Sequence, residues 1–515
     1  MLLERLYRWR LALTLTLIGG LAGALRFVGL SYPKALVFDE LYYARESYSL
    51  LQLGYPGKWK GENQAFANGD FSGLTDRADG VVHPMVGKYM IAAGEWLFGP
   101  TPFGWRFAGA VTGTVSVILL ILIARHLFHS LTWGALAGLF LAIDGQHIVL
   151  SRTSVLDIFL SFWALVAFGL LLLDRRRARA TLDRKAADAR ARLGLAEGER
   201  IPGFGPGLGV RWWRLAALVA IGLATGVKWS GLYFGVGFLV LSALWDAADR
   251  RAAGYRRWLP GSAFRATVPA AITTLVVVPG TYLATYWSWF ASSSSYDRHW
   301  AELNPGEGVT WLPPALRSLL HYHEWMYHFH VNVTPANGYS HGYASNPFWW
   351  LLQQRPTAFY YESDKTDGAL DLCGAKNCAT AITALGNPVI WWGAAIVLLY
   401  ALYRVIARGD MLALTVIAGT LAGWVPWLFY SERIIFTFYT VAFVPYVVLT
   451  LVWGLRHWAQ PPDLDGRWSR VGGFVAGGFT ATALIVAGYF LPIWTGQWIP
   501  YYFWHAHMWL GKFWI

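Results

Sequence analysis

The stretch WRFAGAVTGTVSVILLILIA, residues 105–124, decides what kind of chain this is. It carries one charge, Arg106, at its start, and no proline to interrupt a helix. Twenty residues at about 1.5 Å each cover about 30 Å, the hydrocarbon thickness of a bilayer. Similar apolar runs recur near 11–30, 133–150, 155–173, 215–229, 232–247, 267–289, 389–406, 412–430, 434–455 and 471–494. Together they predict about eleven transmembrane helices and an all-α integral membrane protein. The 215–229 run is short and contains glycine, so it and its neighbour can form a broken pair.

Composition agrees with that reading. Only 14% of the 515 residues are charged, 56% are hydrophobic, and there are 30 Trp, 26 Tyr and 29 Phe; mean hydropathy is +0.37. A soluble chain carries about 25% charged residues, so this one lacks the charge to coat a water-facing surface. Disorder, collagen-like repeats and a disulfide-dense secreted scaffold are excluded, and two cysteines cannot form a four-ligand zinc site. The net charge of +12 reads as topology, with no nucleic-acid partner implied. With the N-terminus inside, 25 of the 42 Lys and Arg fall in short cytoplasmic segments, among them Arg5, Arg8, Arg10 and a dense run over 174–214. The positive-inside rule therefore predicts N-in, C-out. The basic, apolar start could also be a signal peptide; ten later spans favour an uncleaved first helix.

Two long segments fall on the outer side, 31–104 and 291–386. Both are rich in turn residues and aromatics, and stretches 40–53 and 86–98 are amphipathic, which predicts helices lying in the interface. The basic segment 174–214 reads as a solvated, charge-laced helix and linker without chemistry.

The most informative pair is Asp39-Glu40 in VFDELYYARESY. Adjacent carboxylates at a membrane boundary lose solvation and repel each other, which raises one pKa and suits a general base. The same residues could cap the helix that follows. Outer cations are Arg45, Lys88, Arg106, Arg152, Lys228 and Arg433. Singly, each can snorkel to headgroups; as a set beside two carboxylates they suit an anionic lipid headgroup. Asp157, five positions after Arg152, is expected to pair with it. The double Trp in SNPFWW reads first as an interfacial anchor. His321, His323, Glu324 and His328 have spacing open to metal ligation, although hydrogen-bonded loop histidines are the simpler reading and no metal is predicted. Cys373 and Cys378 suit a local disulfide in an oxidising compartment. Asn332-Val-Thr334 matches a weak sequon.

Taken in order, FDE, HPMVGK, RFAGAVTG, SRTSVLD, GVKWSGLY and SNPFWW resemble the protein O-mannosyltransferases of the actinobacterial type, in glycosyltransferase family 39, over nearly the whole chain. The resemblance implies a GT-C fold in a single membrane domain, 1–515. It also implies transfer of mannose from polyprenyl-phosphate mannose to Ser or Thr of exported proteins on the outer face of the cell membrane. It carries the catalytic acidic pair onto Asp39 and Glu40, and a donor-phosphate arginine onto Arg106. Lys228 and Arg433 are further phosphate candidates. His83, Lys88, Asn346 and Trp349, from the HPMVGK and SNPFWW motifs, are candidate substrate contacts. No cofactor is expected, the protein-export channel is an expected neighbour, and the second outer segment is too short for the MIR domain of eukaryotic relatives. One base and one displacement predict inversion at the sugar carbon. A GT-C transferase acting on a lipid or cell-wall glycan and a lipid-linked sugar transporter are the alternatives.

Overall fold

The computed structural model describes residues 2–366, 368–460 and 467–514, with side chains from Trp9 onward. Arg5 and Arg8 of the basic N-terminus therefore lie outside the described side chains. The chain opens with α1 (Leu2–Phe27) and α2 (Glu40–Leu53), followed by a two-stranded antiparallel ribbon, β1 (Gly57–Trp59) and β2 (Leu74–Ala78). Next come α3 (Val86–Phe98), α4 (Pro102–Phe128), α5 (Leu131–Ala142), α6 (Gly145–Ser151) and α7 (Asp157–Leu193). Helices α8 (Trp212–Val227), α9 (Gly231–Ala252) and α10 (Trp258–Ala284) follow, then α11 (Pro314–Asn332) in the second outer segment. Strands β3 (Thr357–Asp364) and β4 (Cys378–Ala384) precede α12 (Pro388–Arg408), α13 (Met411–Tyr430), α14 (Thr437–Ala459) and α15 (Arg470–Thr495). Strand β5 (Ile499–Pro500) completes an antiparallel sheet of order β3-β4-β5.

Among the described residues nine helices are long and apolar enough to cross a membrane, or ten if the bent pair α5–α6 counts as one span. The eleventh expected span, α8, has only 16 residues. The break also falls elsewhere than the sequence suggested. The 133–150 run bends by 62° between α5 and α6, because Asp144 restarts the helix. Its carboxylate accepts from the His147 N–H as an N-cap, and from the Asn387 N–H and Trp391 indole across on α12. A buried acid that satisfies a helix start and ties in a neighbouring helix costs less than an orphaned one.

Helix α4 starts three residues ahead of the expected span at 105. Thr101 accepts from the Gly104 N–H and Pro102 occupies the first turn. The central helix is α14, almost wholly buried; Gly419 of α13 is obligatory there, since a Cβ would lie 2.2 Å from the Tyr446 ring. The amphipathic helices expected in the first outer segment are α2 and α3, and the three-stranded outer sheet is an element the sequence reading missed. The basic segment is not a separate linker at its start: α7 runs unbroken for 37 residues, from span to Leu193.

Candidate active site

The first outer loop folds around one ion pair. Glu40 is fully buried and accepts four hydrogen bonds, from the Val37 and Ser154 N–H groups at 3.0 and 3.1 Å and from Arg106 Nε and Nη2, both at 2.8 Å. Arg106 spends its remaining donors on the carbonyls of Leu30, Pro33 and Ala35. All five guanidinium hydrogens thus have partners. Neither residue lines the cavity described below, which corrects two expectations. Arg106 has no donor left for a phosphate, and Glu40 has no free face for substrate; the pair instead fastens α2, α4 and the loop 30–40 together.

That fastening turns the neighbouring acid outward. Asp39 occupies the N-cap position of α2, yet its side chain makes no capping hydrogen bond, so the capping reading fails for it. Phe38, just before, holds φ at 48°, the left-handed region that bulky residues avoid. Its ring is stacked on Phe359 of β3 at 4.7 Å and met edge-on by Phe436 and Phe438. The outer sheet thereby holds the backbone turn that aims Asp39 into a cavity of about 700 Å³.

Asp39, Asp157, Lys228, Lys88, His83 and Arg433 share the polar end of this cavity. Burial pushes the Asp39 carboxyl up to about 7; Lys228 opposes the shift, while Asp157 and Glu46 add to it. Lys228 Nζ sits 2.8 Å from Asp157 Oδ2 and 4.9 Å from the Tyr439 ring centre. Asp157 therefore pairs with Lys228 rather than with Arg152. Arg152 donates to the carbonyls of Leu25, Arg26, Val28 and Gly29, orphaned where α1 ends. Lys88 lies in the wall but is held by Glu46 at 3.1 Å and by the His83 carbonyl at 2.8 Å.

Arg433 is held more loosely. Its Nη2 meets His330 Nδ1 at 3.5 Å, and its buried Nε has no partner. His330 faces the Val82 carbonyl through Nε2 at 2.9 Å, which places its proton there and leaves Nδ1 as an acceptor toward Arg433. Burial drives the His330 pKa down to about 4, and that of the neighbouring His83 well below its ordinary value, so both rings are neutral. Toward the bundle the cavity turns apolar, walled by Phe234, Trp427 and Ala442.

The remaining candidates lie elsewhere. Asn346 caps a short 3-10 turn by accepting from the Phe348 N–H, and Trp349 is half exposed; neither lines the cavity, where SNPFWW therefore contributes no wall. The loop histidines do not converge. His321 bonds Asp297 and stacks on Trp300, His323 bonds Tyr282 and the Leu319 carbonyl, and His328 pairs with Glu324. Among the described residues no group of three or more His, Cys, Asp and Glu is placed to hold a metal ion. Cys373 and Cys378 are joined in a disulfide. Sequence reasoning missed Glu46, Tyr439 and His330 as parts of the site; the carboxylate in YYARESY and the last histidine of HYHEWMYHFH were the visible signals.

Comparison with known proteins adds an independent line. Residues 83–186 match the family model described as dolichyl-phosphate-mannose-protein mannosyltransferase. Residues 315–514 match the C-terminal four TMM region of protein-O-mannosyltransferase. A polyprenol-phosphate-mannose--protein mannosyltransferase of Mycolicibacterium smegmatis is 35% identical, over 99% of this chain and 93% of the relative. The protein of the same name from Corynebacterium glutamicum is 31% identical over 96% and 92%. Among solved structures, the S. cerevisiae protein O-mannosyltransferase Pmt1-Pmt2 complex bound to the sugar donor superposes with a TM-score of 0.66, at 12% identity, over 95% of this chain and 90% of that one. The shared fold is the GT-C architecture.

Proposed function

The chain belongs to the polyprenol-phosphate-mannose–protein mannosyltransferase family, and we propose that it transfers mannose from polyprenyl-phosphate mannose to Ser or Thr hydroxyls of exported proteins. The observation that carries the mechanism is Asp39, an unspent carboxylate at the polar end of a cavity that also holds Lys228 and Arg433. An alcohol is far too weak an acid to attack unaided, so a base must take its proton as the new bond forms. Asp39 takes the acceptor hydroxyl proton, the acceptor oxygen bonds to the sugar's anomeric carbon, and the bond from that carbon to the phosphate oxygen breaks. The leaving polyprenyl phosphate gains one negative charge, which Arg433 and Lys228 stabilise. One displacement from the face opposite the phosphate inverts the anomeric centre. The apolar wall at Phe234, Trp427 and Ala442 receives the first isoprene units.

Sorting of basic residues supports N-in, C-out, which puts the cavity on the extracytoplasmic face of the cell membrane. Unfolded segments leaving the export channel would meet it there. The test uses membranes supplied with polyprenyl-phosphate mannose and a Thr-rich peptide. Asp39→Asn should abolish transfer at unchanged expression and thermal stability; near-full transfer would overturn the base assignment.

A further inference from the structure

The basic segment after α7 folds into a small module on the side opposite the cavity. Its core is Leu182, Ala186, Ile201, Ala253 and Tyr255. Ile201 bridges to Tyr255, with the Ile201 N–H donating to the Gly254 carbonyl and the Arg256 N–H to that of Ile201. Arg250 bonds the carbonyls of Phe204 and Pro206, so the returning loop is fixed along its length. Where α7, α8 and α9 meet it, the acids are consumed: Asp174 by Arg211 and Arg214, Asp246 by the same two arginines, and Asp249 by Arg175. No carboxylate in this network is left to attract a counter-charge.

Between α7 and the start of α8 lies a second cavity of about 200 Å³, lined by Asp174, Arg177, Thr181, Arg211, Trp212 and Trp213 together with Ala178, Leu208 and Val210. Its polar groups divide sharply. Asp174 and Arg211 neutralise each other, whereas Arg177 is exposed and has no partner among the described residues. The Thr181 hydroxyl is also unpaired, unlike helix threonines such as Thr225 and Thr450, which bond back to the preceding turn. The rim is apolar and uncovered, with Trp212 71% and Val210 64% exposed. A free guanidinium and a free hydroxyl beside bare Trp at a membrane boundary make a headgroup-sized receptacle with an acyl-facing rim.

We propose that this cavity binds the phosphate of an anionic phospholipid of the inner leaflet, with Arg177 and Thr181 on the phosphate and Trp212 against the glycerol and upper acyl chain. The assignment to the inner leaflet rests on the N-in orientation; the binding itself does not. The test titrates purified full-length protein in detergent with phosphatidylglycerol and with phosphatidylcholine, counting bound lipids by native mass spectrometry. Phosphatidylglycerol should bind in preference. Arg177→Gln should weaken it about fivefold, the effect of one Arg near an anionic lipid, and Thr181→Val should weaken it in the same direction. Arg200→Gln removes the same charge outside the cavity and should leave binding unchanged. Equal losses in Arg177→Gln and Arg200→Gln, or no preference between the lipids, would overturn the site. Displacement by millimolar inorganic phosphate would make it a soluble-anion site and overturn the lipid. Orientation is tested apart, by labelling Arg200→Cys with an impermeant thiol reagent, which should react only after lysis.

Discussion

Replacing Glu40 by Gln keeps the shape of the side chain and removes its charge, so it isolates the role of the Glu40–Arg106 pair. Two charge-assisted hydrogen bonds at 2.8 Å are weakened, and the two Arg106 donors that met the carboxylate are left buried beside one neutral oxygen and an amide NH2. Breaking one side of a buried pair costs about 3–5 kcal/mol. Arg106→Gln should cost somewhat more, because the Leu30, Pro33 and Ala35 carbonyls also lose their donor. In the double variant neither side leaves an unpaired charge, so its cost should fall short of the sum by about 2–3 kcal/mol. The assay is apparent unfolding temperature in detergent at a fixed scan rate, since unfolding of such proteins is rarely reversible. Scaled to a chain of this size, each single variant should lose roughly 5 °C. Transfer should fall in proportion to misplacement of Asp39, visible in kcat more than in the donor KM. A Glu40→Gln or Arg106→Gln protein with wild-type stability and a raised donor KM alone would refute this reasoning and return Arg106 to the phosphate.

Two further outcomes follow from the cavity. Asp39 must be charged to act as a base and burial pushes its carboxyl up to about 7, so kcat/KM should fall about tenfold per pH unit below 7 and level off above it. Lys228 holds that pKa down, so Lys228→Gln should move the limb to higher pH; an unmoved limb would show that another group titrates. Arg433→Gln should raise the donor KM at least tenfold with the pH limb in place, and Arg433→Lys should recover only part of it, because the fork that meets both His330 and a phosphate is lost. Equal donor KM in all three forms would remove Arg433 from the site.

The sequence exposed the spans and the acidic pair because both are local signals. Twenty apolar residues in a row are visible without partners, and so is FDE after the first of them. What it hid is pairing across the fold. Arg106 and Arg152 looked alike as outer cations, and each turns out to satisfy carbonyls where α1 ends and the loop begins, a demand that arises only once α1 stops beside α4 and α6. Asp157 looked like a partner for Arg152 at five positions' distance, yet the break after α8 delivers Lys228 to it instead. The bend at Asp144 was equally hidden, since its capping bond is local but the bonds from Asn387 and Trp391 that hold it come from 243 and 247 residues away. The outer sheet escaped because β4, CATAITA, is short and buried on both faces and carries no alternation.

The acidic pair itself changes meaning once its surroundings are known. Read from sequence, Asp39 and Glu40 tune one another by repulsion. In the fold they do not, because Arg106 neutralises Glu40 beside its charge, and the groups that raise the Asp39 pKa beyond burial are Asp157 and Glu46. Two consecutive residues at the start of a helix point about 100° apart, so one carboxylate enters the packed bundle and the other the cavity. The buried one holds the turn in place, and its neighbour can then be kept in a left-handed approach through Phe38, a conformation costing about 1–3 kcal/mol that persists only where the surroundings fix it. The Phe38 ring pocket formed by Phe359, Phe436 and Phe438 supplies that constraint. The proposed base, Asp39, is therefore aimed by two supports, the Glu40–Arg106 ion pair on the bundle side and an aromatic socket on the side of the sheet.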